Sequence, residues 1–318
     1  MNFKELISAL PFEFERSICY KLNSLLKRRP SSAPYLSGDT FARFADFSIE
    51  NQKQLEDFCK NIENVNKTEN FRQKLIILVS SNLLVDFANS VLPKISVPFV
   101  LLSHQGDANI TPESTNADVF LQIAQNQHLV CWFAQNCTLQ HEKIVPLPIG
   151  LENQRFHNAG NVASFKKLQK KLRAGKIRKQ PKVLVALNLA TNPDKRFCCY
   201  RAFWHKPAAK ELSSFVSSQS YRKIAASCMF VASPAGNGLD CHRTWEAMYL
   251  DCVALAEQNP MNEYFKNLGL PVICVSDWAA FAQKTEAELV QIYNEIMKNC
   301  DKSALQAEYW QNKMKELK

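Results

Sequence analysis

The sequence predicts an α/β protein with two Rossmann-like domains that face a cleft. Short apolar runs alternate with helical or loop-like intervals in both halves of the chain, and a polar, basic stretch at 158–180 separates the two series. Such runs are typical of parallel strands that helices cover on both faces. With 318 residues, the chain is long enough to give each domain a substantial core.

The domain boundary is expected at the start of the basic stretch, after the prolines and the glycine at 146–150. This gives an N-terminal domain at 1–157 and a C-terminal domain at 158–318, whose last helix is able to pack back on the N-terminal domain.

The N-terminal half begins with an amphipathic pattern within residues 1–30, which favours a helix packed against the protein over one in contact with a membrane. A polar-faced helix is predicted at 50–65. Strands are predicted at 75–79, 99–102, 130–133 and 144–147.

Three polar residues of this half are candidates for a proton-accepting role. Asp39 follows a glycine and precedes a threonine, which is typical of a cap or turn residue as well as of a binding residue. His104 and Asp107 belong to a polar cluster that leaves the carboxyl end of the second predicted strand, where loops often carry function. A single histidine is more often structural or merely exposed, so both interpretations of His104 stay open.

The C-terminal half repeats the pattern. Strands are predicted at 183–187, 228–232, 253–256 and 271–275, and helices at 285–298 and 303–317. Asn192 and Pro193 predict the N-cap and the first residue of a helix. Arg196 lies in the first turn of that helix, where it either contacts a phosphate or is an ordinary basic residue.

The most informative stretch is 230–257, in which a strand, a Gly-rich loop, a helix and a second strand follow directly on one another. Gly236 and Gly238 allow backbone conformations that are closed to other residues, and Asp240 is expected to cap the helix at 241–250. In a βαβ unit, the loop and the helix N-terminus lie at the carboxyl edge of a parallel sheet, where backbone N–H groups favour an anion.

Arg243 and Glu246 share one face of this helix. Such a pair is able to bind two parts of one nucleotide. A guanidinium binds phosphate oxygens in bidentate fashion, and a carboxylate accepts hydrogen bonds from ribose hydroxyls. Spacing alone favours the plainer alternative, an intrahelical ion pair on a solvated surface. The polar neighbours Asn237, Asp240 and His242 favour the binding site.

The run SPAGNGLDCHRTWEAMYLDCVAL at 233–255 resembles the donor-binding segment of exostosin-like glycosyltransferases and of related bacterial glycan-synthesis enzymes. The family pattern is Ser-Pro-x-Gly-Asn-Gly-x-Asp-x-His-Arg-x-Trp-Glu-Ala, followed by Gly-Cys-Ile-Pro. The sequence departs from it at Asp251, where the family usually has Gly, and at Ala254, where it usually has Pro. Asp tolerates a left-handed helix C-cap better than most residues, so these departures are interpreted as changes of loop stiffness. Weaker similarities extend the resemblance over most of the chain, at 35–41, 144–153 and 187–196.

The resemblance implies a glycosyltransferase of the GT-B type, which moves a sugar from a nucleotide-sugar donor to a glycan or lipid-linked glycan in surface polysaccharide synthesis. The N-terminal domain would bind the acceptor and the C-terminal domain the nucleotide sugar. Such enzymes generally need no metal, since a helix N-terminus and cationic side chains neutralise the departing diphosphate. We therefore expect no tightly bound cofactor, and an inverting transfer with the nucleotide sugar as substrate.

In that picture Arg243 stabilises the leaving diphosphate and Glu246 holds the ribose, while Asp39, Asp107 or His104 takes the acceptor proton. The remaining donor-binding candidates lie in the two loops and at the helix start. They are Asn188, Thr191, Arg196, Ser233, Gly236, Asn237, Gly238, Asp240 and His242.

The formal net charge of +9 indicates an anionic partner. Its densest source is 166–182, where nine of seventeen residues are Lys or Arg. This run is either a solvated linker or a surface attracted to anionic lipid headgroups or to an acidic, lipid-linked glycan. It has no interleaved aromatic residues, so nucleic acid is not an expected partner.

The sequence also bears on two other classes of function. A dehydrogenase would need a GxGxxG loop near its first strand, and the sequence has none. A catalytically silent nucleotide-sugar or glycan-binding scaffold stays open as the alternative.

No apolar run reaches the about 18 residues that span a bilayer, and acidic residues interrupt the N-terminus where a signal peptide would be apolar. Eleven cysteines without metal-binding spacing indicate reduced thiols. We therefore expect a cytoplasmic protein, with peripheral contact at the inner face of the membrane as an option.

Overall fold

The computed structural model of the protein describes residues 17–18, 21–23, 25–26, 30–67, 74–156, 161–212 and 216–317. The predicted domain boundary at 157/158, and most of the predicted amphipathic helix within 1–30, lie outside the described residues. The chain forms two compact units, each with its own five-stranded parallel sheet. The predicted α/β class with two Rossmann-like halves is confirmed.

The units do not follow a single boundary along the chain. The first unit is Thr40–Ile149 with the segment from Glu308 on, and the second is the chain up to Asp39 with Gly150–Ala307. The early segment belongs to the second unit because its backbone is bonded there: the amide of Leu36 donates to the Tyr249 hydroxyl at 2.9 Å.

The first unit is entered through the short helix α1, Gly38–Phe41. Its strands are β1 Phe47–Ile49, β2 Leu75–Ser80, β3 Phe99–His104, β4 Leu129–Ala134 and β5 Ile144–Pro146, and its helices are α2 Gln52–Lys67, α3 Leu84–Ser90 and α4 Ala117–Ala124. The strands lie side by side in chain order, β1 to β5. β3 is buried along its whole length, and its first four residues form an unbroken apolar run.

The second unit repeats the alternation of strands and helices. Its strands are β6 Gln180–Val185, β7 Ala209–Glu211, β8 Cys228–Ser233, β9 Val253–Glu257 and β10 Val272–Val275. Its helices are α5 Val162–Arg173, α6 Pro193–Phe203, α7 Ser218–Ala226, α8 His242–Tyr249, α9 Pro260–Asn267, α10 Trp278–Ala282 and α11 Glu286–Asn299. The last helix, α12, runs over Ala307–Lys315 and packs Trp310 near Phe41 and Phe133 of the first unit's core.

The strand order of the second sheet is β10-β9-β8-β6-β7. After β6 the chain adds β7 on one side, then returns to place β8, β9 and β10 on the other side. The order therefore reverses between β6 and β8, which pair in parallel. In open α/β sheets, ligands bind outside the carboxyl ends of the strands at such a switch point. This reversal positions the candidate site.

Two further findings concern the described parts of the chain. None of the helices there is both long and apolar enough to cross a bilayer. The cysteines there form no disulfide, and about half of them are buried among apolar side chains.

Candidate functional site

The loops that follow β6 and β8 meet at the switch point, where Arg196 joins them. Its Nε donates to the carbonyl oxygen of Ala235 at 3.2 Å, and its Nη1 donates to that of Asn188 at 2.9 Å. Asn192 caps α6 and also donates from Nδ2 to the Gly236 carbonyl at 2.9 Å. Arg196 is only 7% exposed. It therefore acts as the clamp between the loops, and two of its nitrogens are already occupied.

In the β8 loop, Gly236 is required by the space available rather than by its backbone conformation. Neither Gly236 nor Gly238 has a positive φ, so the predicted reason for them is wrong. A Cβ at Gly236 would lie 2.7 Å from Nη2 of Arg196. The Gly236 amide closes a tight turn by donating to the Gly238 carbonyl at 3.0 Å.

Asp240 does not cap α8, in contrast to the prediction. Cys241 is the N-cap, and it makes no side-chain capping hydrogen bond. The buried Asp240 carboxylate instead accepts from Nε1 of Trp245, at 3.0 and 2.8 Å from its two oxygens. The amides of the first turn of α8 are therefore left without a side-chain cap, which suits an anion.

Ser233 is also used within the protein. Its hydroxyl lies 2.8 Å from the Thr244 hydroxyl, and both side chains are buried. This contact ties the end of β8 to the first turn of α8. The other predicted loop residues lie at the rim: Asn188 and Asn237 are exposed, and Thr191 is partly buried.

Arg243 is the candidate whose hydrogen-bonding capacity the described residues leave partly unused. Its Nη1 is buried without a hydrogen-bond partner among them, and the same holds for the neighbouring hydroxyl of Tyr221. Burial raises the pKa of Tyr221, Glu246 adds to the rise, and the Arg243 charge opposes it. A weak interaction between the Tyr221 hydroxyl and the Arg243 guanidinium also opposes the rise, although it falls short of good hydrogen-bond geometry.

Glu246 is 9% exposed and lies among cations. Burial raises the pKa of its carboxyl group, and the charges of Arg222, His242 and Arg243 offset only part of the rise. Within the described residues, no ion pair joins Glu246 to Arg243. The intrahelical pair that the spacing favoured is therefore not formed.

His242 faces the segment that enters the second unit. Its Nδ1 lies 2.8 Å from the Gly150 carbonyl, so this nitrogen carries a proton, and its Nε2 lies 3.6 Å from the Glu152 carboxylate. Burial alone would lower the pKa of His242, but Glu152 and the Gly150 carbonyl outweigh it, so the pKa is raised. His242 therefore adds positive charge beside Glu246.

Asp39 lies in the second unit, not in the first. Its carboxylate is fully buried, 3.3 Å from Nε of Arg155, and its backbone amide donates to Oδ1 of Asn153 at 2.7 Å. These contacts indicate a structural role for Asp39 at the start of α1.

His104 and Asp107 lie in the first unit, at the carboxyl end of β3. The buried His104 ring has both nitrogens engaged: Nδ1 accepts from the Gln105 amide at 2.7 Å, so Nε2 carries the proton and donates to the Pro148 carbonyl at 3.1 Å. Gln105 has a left-handed φ of 62°. Asp107 is exposed, and is the one base candidate of the three with an accessible side chain.

Sequence reasoning missed residues that line the same region. Tyr221 and Arg222 come from α7, and Glu257 ends β9 with its Oε1 buried and without a partner in the described chain. The other oxygen of Glu257 lies 3.3 Å from Nζ of Lys195. Glu257 could have been identified from the sequence as a site residue, because a carboxylate at the end of an apolar strand lies at the edge of the sheet where ligands bind. The α7 residues had no such signal, because their place depends on tertiary packing.

Neither a protein-family model nor a curated protein matches the chain. Among solved structures, it is similar to a chain described as "Trehalose-6-phosphate from E. coli bound with UDP-2-fluoro glucose", with 14% identity over 84% of this chain and 80% of that one, at a TM-score of 0.43. It is also similar to one described as "OtsA apo structure", with 11% identity over 84% of this chain and 77% of that one, at a TM-score of 0.41. Likeness of this size assigns neither a family nor an activity.

Proposed function

We propose that this protein is a glycosyltransferase whose nucleotide-sugar donor binds at the switch point of the second unit. The observation that supports this most directly is the buried Nη1 of Arg243, which has no partner in the described chain, beside an α8 start without a side-chain cap. A buried donor left unsatisfied costs about 1–3 kcal/mol, and more for a charged group. A diphosphate would remove that cost.

The proximity of Arg196 to Arg243 supports the same ligand. Burial, and then the positive charge of Arg243, lower the pKa of Arg196. Two guanidinium groups held this close repel each other unless an anion lies beside them. The departing diphosphate of a nucleotide sugar is such an anion, and its developing charge is what the two cations would stabilise.

Glu246 is proposed to hold the ribose. A buried carboxylate is tolerated when donors satisfy its oxygens. The vicinal hydroxyls of a ribose supply two such donors. Arg222 and His242, whose charges act on Glu246, keep the carboxylate in place for them.

The finer features of the proposal derive from the sequence resemblance. The acceptor is a glycan or lipid-linked glycan of surface polysaccharide synthesis, transfer inverts the anomeric centre, and no metal takes part. Asp107 takes the proton of the acceptor hydroxyl, since Asp39 is buried beside Arg155 and both ring nitrogens of His104 are engaged. The acceptor oxygen then bonds to the anomeric carbon, and the diphosphate leaves with the electron pair of the broken C–O bond. The proposed location is cytoplasmic, where nucleotide sugars are supplied.

The test is a calorimetric titration with nucleoside diphosphates, followed by hydrolysis and transfer assays with a panel of nucleotide sugars, with and without EDTA. We expect binding of at least one nucleoside diphosphate and turnover of its sugar that EDTA leaves unchanged. Binding without turnover would favour the silent scaffold. If no nucleoside diphosphate binds at millimolar concentration, the donor site is wrong.

A further inference from the structure

A second anion-binding feature lies between α5 and α7 of the second unit. The two helices enclose a groove of about 120 Å³. Six residues line it, Ser164, Lys167, Leu168, Lys171, Gln219 and Lys223, and more of the lining surface is apolar than polar. Three of these residues are exposed lysines, and none of the six is acidic.

The sequence around both helices lacks carboxylates. Between Glu152 and Asp194 the chain has no Asp or Glu, and the same is true between Glu211 and Asp240. α5 and α7 lie in these two acid-free stretches. Their lysines therefore have no acidic neighbour on their own helix.

The basic run is not a solvated linker, which was one of its two interpretations. α5 is a helix capped by Asn161, whose side chain accepts from the Ala163 amide, and it buries Phe165 and Leu168. The guanidinium of Arg222 lies 5.6 Å from the centre of the Phe165 ring and fixes α7 against α5. The lysines of the groove are therefore carried on a packed pair of helices.

The size of the groove limits what it holds. Pockets for nucleotide-sized ligands have volumes of about 300–1,000 Å³, so this groove fits a single phosphate group better than a nucleotide. The helix also exposes basic residues outside the groove, at Lys166, Lys170 and Arg173. A single small anion would leave these unused, whereas a surface with many phosphates would attract all of them.

We propose that the α5–α7 face docks on an anionic phospholipid membrane, with one headgroup phosphate held in the groove by Lys167, Lys171 and Lys223. This docking does not depend on the proposed transferase activity. Because the ammonium groups are near the protein surface, the binding weakens as salt rises and screens charges beyond about 8 Å.

The experiment is vesicle flotation of the full chain, using phosphatidylcholine with and without phosphatidylglycerol. The test variant combines Lys167→Gln, Lys171→Gln and Lys223→Gln. The matched control combines Lys53→Gln, Lys60→Gln and Lys67→Gln, which remove the same charge from exposed positions of α2. Each lysine near an anionic surface contributes about fivefold to binding, so the groove variant should bind about 100-fold more weakly, and the control should bind like the wild type.

Three outcomes would overturn the proposal. One is equal loss in the two variants, which would mean attraction by net charge alone. Another is wild-type binding to glycerol 3-phosphate or to alginate as tight as to the vesicles, which would mean a free phosphate or an acidic glycan. The last is no flotation with anionic vesicles at low salt. Nucleoside diphosphate binding should be unchanged in the groove variant, and this separates failure here from failure of the donor site.

Discussion

Among the candidate residues, Arg243 is the one whose contacts within the described chain do not account for a buried guanidinium nitrogen. Its Nη1 is buried with no partner in the described chain, and its charge lowers the pKa of the clamp residue Arg196. A protein without a ligand at this point would gain stability from a smaller, neutral residue. The cost is understandable if the guanidinium serves a ligand that arrives later.

We therefore expect Arg243→Ala to lower turnover strongly without loss of stability. Removing one preorganised donor to a developing anion costs about 2–4 kcal/mol of transition-state stabilisation, or roughly 30- to 1,000-fold in rate. Arg243→Lys should recover only part of it, since an ammonium lacks the planar fork. Single-turnover assays with the active nucleotide sugar measure the rate, and thermal denaturation measures the stability.

Arg201→Ala is the matched control, because Arg201 is an exposed arginine of α6 whose guanidinium lies over the Phe197 ring. It should retain the wild-type rate. A folded Arg243→Ala protein with wild-type turnover would remove Arg243 from the site.

Glu246→Gln should stabilise the fold at neutral pH and weaken nucleotide binding. Burial raises the pKa of Glu246 in the folded protein, so the folded state holds its proton more tightly than the unfolded state. The free energy of unfolding therefore falls as pH rises between the unfolded and the folded pKa. The glutamine amide does not ionise, so the variant does not lose this free energy of unfolding as pH rises. Its stability gain over the wild type therefore appears at high pH and vanishes at pH values below the usual pKa of a carboxyl group.

Two measurements check the Glu246 prediction. Urea denaturation at several pH values should show a stability gain that grows with pH, and calorimetry should show roughly 10- to 100-fold weaker nucleotide binding, since hydrogen bonds to charged groups contribute about 1.5–3 kcal/mol. A gain in stability with unchanged nucleotide affinity would leave Glu246 without a ligand role.

At the scale of elements, the contact between β8 and α8 orients the start of the helix. Ser233 and Thr244 bond each other through buried hydroxyls. Ser233→Ala or Thr244→Val alone should destabilise by about 1–3 kcal/mol, because each leaves one buried hydroxyl unsatisfied. The double variant should lose less than the sum. A double-mutant cycle by urea denaturation measures the coupling, and additive losses would contradict the tether.

The elements that the sequence predicts best are the long buried strands and the polar signals at helix ends. β2 and β9 begin where the apolar runs begin, and Asp251 takes the left-handed conformation expected of it, with φ of 56°. The edge strands β1 and β7 were missed, because each has only three residues and most of them are partly buried, which gives too little pattern. α5 was missed because lysines surround its two buried apolar residues.

The sequence predicted the strand, loop and helix that carry the candidate site, but not the contacts among its residues. Spacing identified the loop, the helix start and the Arg243 position. It assigned ligand roles to Ser233, Asp240 and Arg196, whose polar groups are largely used inside the fold. Such contacts join residues from different strands and helices, and a single sequence does not record which of these meet.

At the scale of the whole molecule, strand order distinguishes two units that look alike in sequence. Both halves alternate strands with helices, yet the described strands of the first sheet follow chain order, whereas the second sheet reverses at β6. The order depends on which edge β7 takes, and three residues do not specify this in sequence. Ligands of open α/β sheets bind where the strand order reverses, so the donor is proposed there.

The proposed transfer uses one residue of the first unit, Asp107. We expect Asp107→Asn to lower transfer by about 10²- to 10⁴-fold, the usual contribution of a positioned proton acceptor, while nucleotide binding stays at the wild-type level. An amide has nearly the same shape as the carboxylate but does not accept the proton. Glu113→Gln is the matched control, since Glu113 is an exposed acid of the same unit.

Product configuration decides whether the reaction runs as proposed. A single displacement by the deprotonated acceptor attacks the face opposite the departing diphosphate, so the product anomer should be inverted relative to the donor. Proton NMR of the transfer product, formed from a donor of known configuration, detects this, because the anomeric centre of a glycoside does not mutarotate. Retention would defeat the single displacement. Inversion with full activity in Asp107→Asn would contradict the role of Asp107, and Asp39→Asn would then test whether the carboxylate beside Arg155 is the proton acceptor.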